Sequence, residues 1–417
     1  MSVLSLTGSH QSAHVSDVQS VFQDTAAGRI ELAVYHDFQN VIDAWARLEA
    51  RGVCVNAQTF ERSRLWFENV STLHGGVPVI VVGTSAIGET QFIWPFEMSS
   101  SKGINCLRWI GWEHANYQMG LHTLEFARKI TAEDMRVLLE RAAVLSRANV
   151  ALLKYQPAEW DGVRNPMALL PYHPSASLGH SVLLDQDFEN LFRNRFSGKS
   201  RNTLRRKEKK LRAEGRVELR WAATAEERHP LLEIFFEQKS RQFADQGIVD
   251  AFKDENIRSF YHDLASLPSG KDGTLEIAYL KVNDDVLAIS CGIHFRDKFE
   301  TLLTSIELGP MSRHSPGAIL AKFQIEDCCK RGHNFFDMGT GDAPHKTDWC
   351  DVHTELMDSA IAFDEKGYLM TLPYIAKTAG KRFIKSRPML WAVARTMRNA
   401  LYGNSSKPES EMSKSAV

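Results

Sequence analysis

Three β-rich runs stand almost end to end in the second half of the chain, at residues 275–282, 286–295 and 299–306, with only short polar turns between them. Turns that short join strands as hairpins and leave no length for a parallel crossover, so these runs predict an antiparallel meander. Ahead of them, 217–221 reads as a strand, 226–244 carries Leu231, Leu232, Phe235 and Phe236 at helical spacing, and 257–267 reads as a second helix. Behind them a polar loop leads into a helix at 316–331 closed by Gly332, a short strand at 334–337 and a last strand at about 354–363.

The first half repeats that order. It has a strand at 30–35, helices at 38–50 and 59–73, β runs at 77–83, 89–96 and 105–112, a helix at 132–147 and strands at 151–155 and 181–185. No obvious residue-level repeat accompanies the repeated order. The 417 residues, 43% hydrophobic, suffice for two packed cores. The expectation is a mixed α+β protein of two tandem units, 29–190 and 191–370. Around them stand a disordered 1–28, a basic helical segment at 371–402 and a disordered tail at 403–417. One large α+β domain is the alternative.

Lys plus Arg number 50 against 51 for Asp plus Glu, so net charge points to no nucleic-acid partner and no acidic one. The six cysteines, Cys54, Cys106, Cys291, Cys328, Cys329 and Cys350, form no C-x-x-C pair and no finger spacing with His, so neither zinc nor a disulfide framework is expected. The first 28 residues lack the apolar run of a signal peptide, and no stretch of 18 uncharged apolar residues occurs. A cytoplasmic protein is the expectation.

Arg313-His314-Ser315-Pro316-Gly317-Ala318 opens the helix after the meander. A helix N-terminus presents backbone N–H groups and partial positive charge to a phosphate, Pro suits the first turn, and Gly lets a bulky group approach. Arg313 and His314 can add charge. An ordinary Ser-Pro helix start reads the same way.

The wider segment 312–346, SRHSPGAILAKFQIEDCCKRGHNFFDMGTGDAPHK, resembles the acyltransferase family named after the CelD proteins of cellulose biosynthesis, a GNAT branch. The matching positions are Ser315, Pro316, Gly317, Arg331, Gly332, Asp337, Gly339, Gly341 and Lys346, with His345 where the family has an aromatic residue. A second stretch, 197–215, is similar to the S-x-x-x-R-x-x-(I/L)-R-(K/R) helix that opens the family's second domain. The same segments resemble the Fem-type peptidyltransferases, which share a double GNAT fold and use aminoacyl-tRNA. The resemblance covers about the last 200 residues. It implies a tandem double GNAT fold, each copy a mostly antiparallel sheet flanked by helices, with the acyl-CoA site in the C-terminal copy. The implied activity is transfer from acetyl-CoA or another acyl-CoA, without metal, to an amino sugar, a polysaccharide precursor or a similar polar acceptor.

On that reading the backbone around Ser315–Ala318 holds the pyrophosphate, Lys346 polarises the thioester carbonyl, and Asp337 or a water chain takes the acceptor's proton. Asp337 could equally brace the Gly339–Gly341 loop, and Lys346 could be a surface lysine. Asp342, His345, Glu237 and Gln238 are further candidates for the acceptor pocket, the last two also reading as solvent-facing. His294 reads as a general base or a satisfied strand histidine, and Cys328-Cys329 has no base beside it. Asn116 and Tyr117 follow the aromatic stretch 108–112 of the first unit, where a sugar could stack or a core could pack.

From Arg193 to Arg216 there are eleven basic residues against two acidic ones. A solvated face, a contact to phosphates of CoA or of an anionic acceptor, and tRNA binding all fit. Residues 372–403 carry seven Lys/Arg and no acid among apolar residues, a pattern that can lie on the inner face of an anionic membrane or cap the second unit. The rival functions are a Fem-like aminoacyl-tRNA-dependent transferase and a non-catalytic scaffold of a polysaccharide synthase.

Overall fold

The computed structural model describes residues 19–268, 273–341, 344–385 and 387. The first half runs β1 (Gln19–Thr25), β2 (Gly28–Tyr35), α1 (Ile42–Arg51), α2 (Phe60–Trp66), β3 (Val77–Ser85), β4 (Thr90–Ser101), β5 (Ile104–Trp109) and β6 (Leu121–His122). It continues through α3 (Leu124–Lys129), α4 (Ala132–Ser146), β7 (Val150–Pro157), β8 (Glu159–Trp160), β9 (Val163–Arg164), β10 (His173–Pro174) and β11 (Gly179–Leu183). The second half has α5 (Phe188–Arg195), α6 (Gly198–Glu214), β12 (Val217–Trp221), α7 (Ala225–Asp245), α8 (Glu255–Ser266), β13 (Leu275–Val282), β14 (Asp285–Phe295) and β15 (Lys298–Ile306). Then follow α9 (Pro316–Lys330), β16 (Phe335–Thr340), α10 (Pro344–Trp349), β17 (Val352–Thr354), β18 (Leu356–Ala362) and α11 (Glu365–Lys385).

Among the described residues two large sheets share one pairing scheme. In the first, β2, β3, β4 and β5 form an antiparallel meander, β5 pairs parallel with β7, and β7 pairs antiparallel with β18. In the second, β12 to β15 form the meander, β15 pairs parallel with β16, and β16 pairs antiparallel with β11. The duplicated element order is therefore a duplicated fold. The closing strands are exchanged: β11, from the first half, joins the second sheet, and β18, from the end of the second half, joins the first. The expected division near residue 190 is thus not a division between sheets. An alternating pattern tells a strand which face to bury, not which sheet to join.

The units also share a core. One apolar cluster holds Trp45, Trp66 and Ile80 of the first half together with Leu232, Phe235, Phe260 and Ile277 of the second. Within it α2 packs on α8, and Trp66 meets Phe260 edge to face at 5.1 Å. The two separate cores expected from the composition are joined here.

The expected disorder of residues 1–28 is corrected in part. Gln19–Thr25 pairs with Gly28–Tyr35 as a hairpin, and its Val21 packs on the core of the first sheet. One inward apolar residue in seven is too little to give a periodic signal, so the pairing and not the pattern makes this strand. Residues 1–18, 388–402 and 403–417 lie outside the described residues. Among those described, no helix is long and apolar enough to cross a membrane.

Candidate active site

Two places gather the residues singled out in the sequence. At the start of α9, Ser315 adopts a left-handed conformation (φ 55) after the turn Pro310–His314, and Pro316 takes the first helical position. The Ser315 N–H donates to Ser312 O (2.9 Å), the Ala318 N–H donates to Ser315 O (3.1 Å), and Pro316 has no N–H. That leaves the Gly317 N–H as the backbone donor for a phosphate, a narrower cradle than the four-residue one expected. Arg313 and His314 both lie on Glu214, at 3.2 and 3.3 Å, so that carboxylate and not a phosphate engages the guanidinium and the imidazole.

The cation that does reach it comes from α6. Lys207 Nζ donates to Ser315 Oγ at 2.7 Å. The helix bearing it is held by residues of the 197–215 stretch: Ser197 caps it by accepting from the Ser200 N–H, and Arg201 reaches back to the carbonyls of Arg193 and Phe196. Beside Pro316 opens a groove of about 450 Å³, lined by Ile234, Gln238, Val286, Gly309 and Met311 among others. Its lining also includes Asp284, Asp285 and Glu307, so an anion sits favourably only toward the Lys207 end. Gln238 is buried, donating to Val286 O and accepting from Ser305 Oγ (both 2.7 Å), whereas Glu237 is exposed and does not line the groove.

The second place is the fork where β15 and β16 part. Their parallel pairing runs from Lys298↔Phe335 to Glu300↔Asp337 and ends there. Asn116 bridges the diverging strands: its Nδ2 donates to Glu300 Oε1 (3.0 Å) and Thr301 O (2.9 Å), and its Oδ1 accepts from the Thr340 N–H (3.2 Å). The side chain thus satisfies backbone groups at the point where the ladder between these strands stops. Tyr117 Oη donates to both oxygens of Asp337, which also accepts from Ser181 Oγ (2.9 Å) and the Gly339 N–H (2.6 Å).

Burial and the neighbouring Glu300 charge push the Asp337 carboxyl up to about 6, although those donors pull it back down. Burial and the same carboxylates push the Tyr117 phenol well above its ordinary value. A crevice lined by Asn56, Trp160, Lys298 and both carboxylates reaches this cluster, but at about 10 Å³ it has room for no more than a water.

Gly339 (φ +75) stands so close to the first unit that a Cβ there would lie 2.7 Å from Asn116 Oδ1, while Gly341 (φ +90) faces open space. Lys346 is buried and donates to Gly339 O (3.0 Å) and Thr340 O (2.8 Å), so it contacts the end of β16. Asp342 lies outside the described residues, and so does the side chain of His345. His294 sits on Glu276 (3.0 Å) and Arg331 (3.0 Å) and packs on Phe299 (4.8 Å), on the face of the sheet opposite to Glu300. Cys328 and Cys329 are both buried, and burial raises both thiols, Cys329 to about 11, so neither supplies a thiolate. Among the described residues no group of three or more His, Cys, Asp or Glu could hold a metal ion.

Residues 198–347 match the family model described as "Acetyltransferase (GNAT) domain". This part of the chain is a GNAT-type domain. The match begins with the basic helix and ends one residue past Lys346, so it spans the groove and both strands of the fork. Among solved structures, FemX is similar at 11% identity, covering 81% of this chain and 99% of its own, with a TM-score of 0.54. A conserved protein of unknown function from Bacteroides thetaiotaomicron is similar at 12% identity over 82% of this chain and 100% of that one, TM-score 0.49. A tandem GNAT protein from the clavulanic acid biosynthesis pathway is similar at 10% identity over 80% and 99%, TM-score 0.46. Nothing among the curated proteins matches. At 11% identity the likeness to FemX is one of fold; the pairing scheme that the two sheets share is a duplicated fold, and its second copy holds the residues that the family model matches.

Ser181, Glu300 and Lys207 belong to these two places and form part of no motif in the sequence, where Asn116 and Tyr117 stand only as neighbours of a possible sugar platform. Glu300 alone left a signal, an acid beside Phe299 in a run read as a strand of the meander.

Proposed function

We propose that the protein is an acyl-CoA-dependent N- or O-acyltransferase whose donor lies along β15, with its phosphates at the start of α9 and its thioester at the fork. The observation that carries this reading is that the fork opens partway along β15, past Glu300, and the groove lies at the far end of the same strand. Thr301 and Ile306 are five residues apart, about 17 Å in an extended strand, which suits an extended pantetheine-like arm. The Gly317 N–H and Lys207 would hold the phosphates, with Ser315 orienting the lysine. Lys346 would keep positive charge beside the fork, where an oxyanion develops as the acceptor attacks the thioester carbon and the carbon–sulfur bond breaks. Asp337, already engaged by Tyr117, Ser181 and Gly339, would act as a positioning residue. The acceptor's proton would pass to water. The resemblance to the CelD-type family favours an amino sugar or polysaccharide precursor as acceptor.

A second reading, transfer from aminoacyl-tRNA, is favoured by two features together. Asn116 fills the apex of the fork and narrows the room for a thioester, and α6 exposes Lys199, Arg205, Arg206, Lys209 and Lys210. Calorimetry with acetyl-CoA separates the two. Gly309 lines the groove in extended backbone, and a Cβ there meets nothing within 4 Å, so Gly309→Asp adds negative charge without strain. The expected result is saturable binding by the wild type, weakened roughly tenfold or more in Gly309→Asp at unchanged melting temperature. At Gly317 a Cβ already stands 3.1 Å from Ile306 Cγ2, so Gly317→Asp should abolish binding outright. Absence of binding by folded wild-type protein would sink the acyl-CoA reading and turn attention to tRNA or to a scaffold.

A further inference from the structure

Two faces of α11 bear apolar residues; one is turned to the protein and the other is exposed. Gly367, Thr371, Tyr374, Ile375 and Thr378 face inward, where the helix packs on β7 and β18. A Cβ at Gly367 would lie 2.1 Å from Asn149 O, so the helix start is pressed against the first unit. The opposite face carries Leu369, Leu372, Ala376, Ala379 and Phe383, an alternating three-and-four spacing that puts all five on one stripe. All five are exposed, Leu369 by 71% and Leu372 by 69%, with Tyr368 and Ile384 exposed beside them. A stripe of this kind, on a helix already anchored by its other side, marks an interaction surface.

Charge decides what fits it. From residue 366 to residue 402 the chain has eight Lys/Arg and no acid. A second copy of α11 and the residues after it, seated on the stripe, would bring eight further cations against these eight, with only Glu365 at the start of each helix to pair them. The chain's own 389–402, with Arg395 and Arg398, has the same defect. An anionic bilayer meets both requirements, since the apolar stripe enters the acyl boundary while long basic side chains reach the headgroups. Leu390, Trp391 and Tyr402 continue the same composition, with aromatic residues of the kind enriched at membrane interfaces.

We propose that α11 seats the protein on the surface of an anionic phospholipid bilayer, as a peripheral and not a spanning contact. This goes beyond acyl transfer and does not depend on it. The test is flotation of the full chain with large unilamellar vesicles, equimolar phosphatidylglycerol and phosphatidylcholine against phosphatidylcholine alone. Wild type should float with the anionic vesicles, at least about tenfold less with the neutral ones, and less at high salt. The triple variant Leu369→Glu/Leu372→Glu/Phe383→Glu changes only exposed positions and should keep the wild-type melting temperature while losing flotation. The proposal is overturned if wild type stays unbound, if it binds neutral vesicles equally, or if the triple variant floats like wild type. Sedimentation equilibrium supplies a separate check: a wild-type dimer that the triple variant converts to monomer would assign the stripe to a second copy instead.

Discussion

The Tyr117 hydroxyl donates to both carboxylate oxygens of Asp337, at 3.0 and 2.8 Å, and so pins a loop of the first unit to the strand that forms one arm of the fork in the second. With its carboxyl raised to about 6, Asp337 favours the folded state fully below the ordinary carboxylate value near 4, and that contribution is lost as pH rises through 6. Tyr117→Phe removes a donor that steadies the ionised form, so the Asp337 pKa should climb further. The cost should be larger at about pH 8, on the order of 1.5–3 kcal/mol, than at about pH 5, where the carboxyl is largely protonated in either protein. Urea unfolding at the two pH values measures this, and an equal cost at both would mean that Asp337 does not titrate as described.

Gly339 and Gly341 give a matched pair. Both have positive φ, but only at Gly339 would a Cβ press on the Asn116 amide that bridges the fork. Gly341→Ala should therefore cost the left-handed backbone strain alone, about 1–2 kcal/mol. Gly339→Ala should cost about 2–4 kcal/mol, because Asn116 must also shift from Thr301, Thr340 and Glu300. If chemistry takes place at the fork, activity should fall much further in Gly339→Ala than in Gly341→Ala at temperatures where both are folded.

Which parts of this site could be read from the sequence follows from which forces are local. The meander over 275–306 is legible because turn length and apolar runs dictate hairpins, and the helix start at Pro316 because proline's fixed φ and missing N–H act at the first helical position itself. The contact between Asp337 and Gly339 is likewise only two residues long. Tyr117 stood out as an aromatic beside a polar loop, yet its partner lies 220 residues away, and no periodicity carries such a pairing. Glu300 was visible as an acid close to Phe299 and Leu302, but its need for partners names none of them. Lys207 left no mark, being one of eleven basic residues in its stretch, distinguished only by the helix start that it faces.

Lys207→Gln tests that assignment. The amide can still reach toward Ser315 Oγ but brings no charge, so acyl-CoA binding should weaken about tenfold with little change in stability. The difference between wild type and variant should shrink as salt is raised. A calorimetric titration in which the variant binds as tightly as wild type would remove Lys207 from the phosphate site.

Lys346→Met keeps the aliphatic stem and removes the donor to Gly339 O and Thr340 O. Two carbonyls near the fork lose a charged partner, for which a loss of about 1.5–3 kcal/mol in unfolding free energy is expected. Should the lysine also stabilise charge during transfer, kcat will fall by more than the folded fraction does. Loss of stability with unchanged kcat would confine Lys346 to holding the end of β16.

The exchanged strands bear on folding as well as on the site. Cutting the chain in the loop between β11 and α5 leaves a first fragment without β18 and a second without β11, so each would expose a strand edge that its own sequence cannot cover. The fragments also share the cluster that joins Trp66 to Phe260. Expressed alone, each should be insoluble or unfolded; expressed together, they should co-purify as one complex with a single cooperative melting transition. Ser181 makes the outcome relevant to function, because it reaches Asp337 only when β11 lies against β16. If either fragment alone gave a soluble, cooperatively folded protein, the strand exchange could not be a requirement for folding, and the fork would have to be assembled without Ser181.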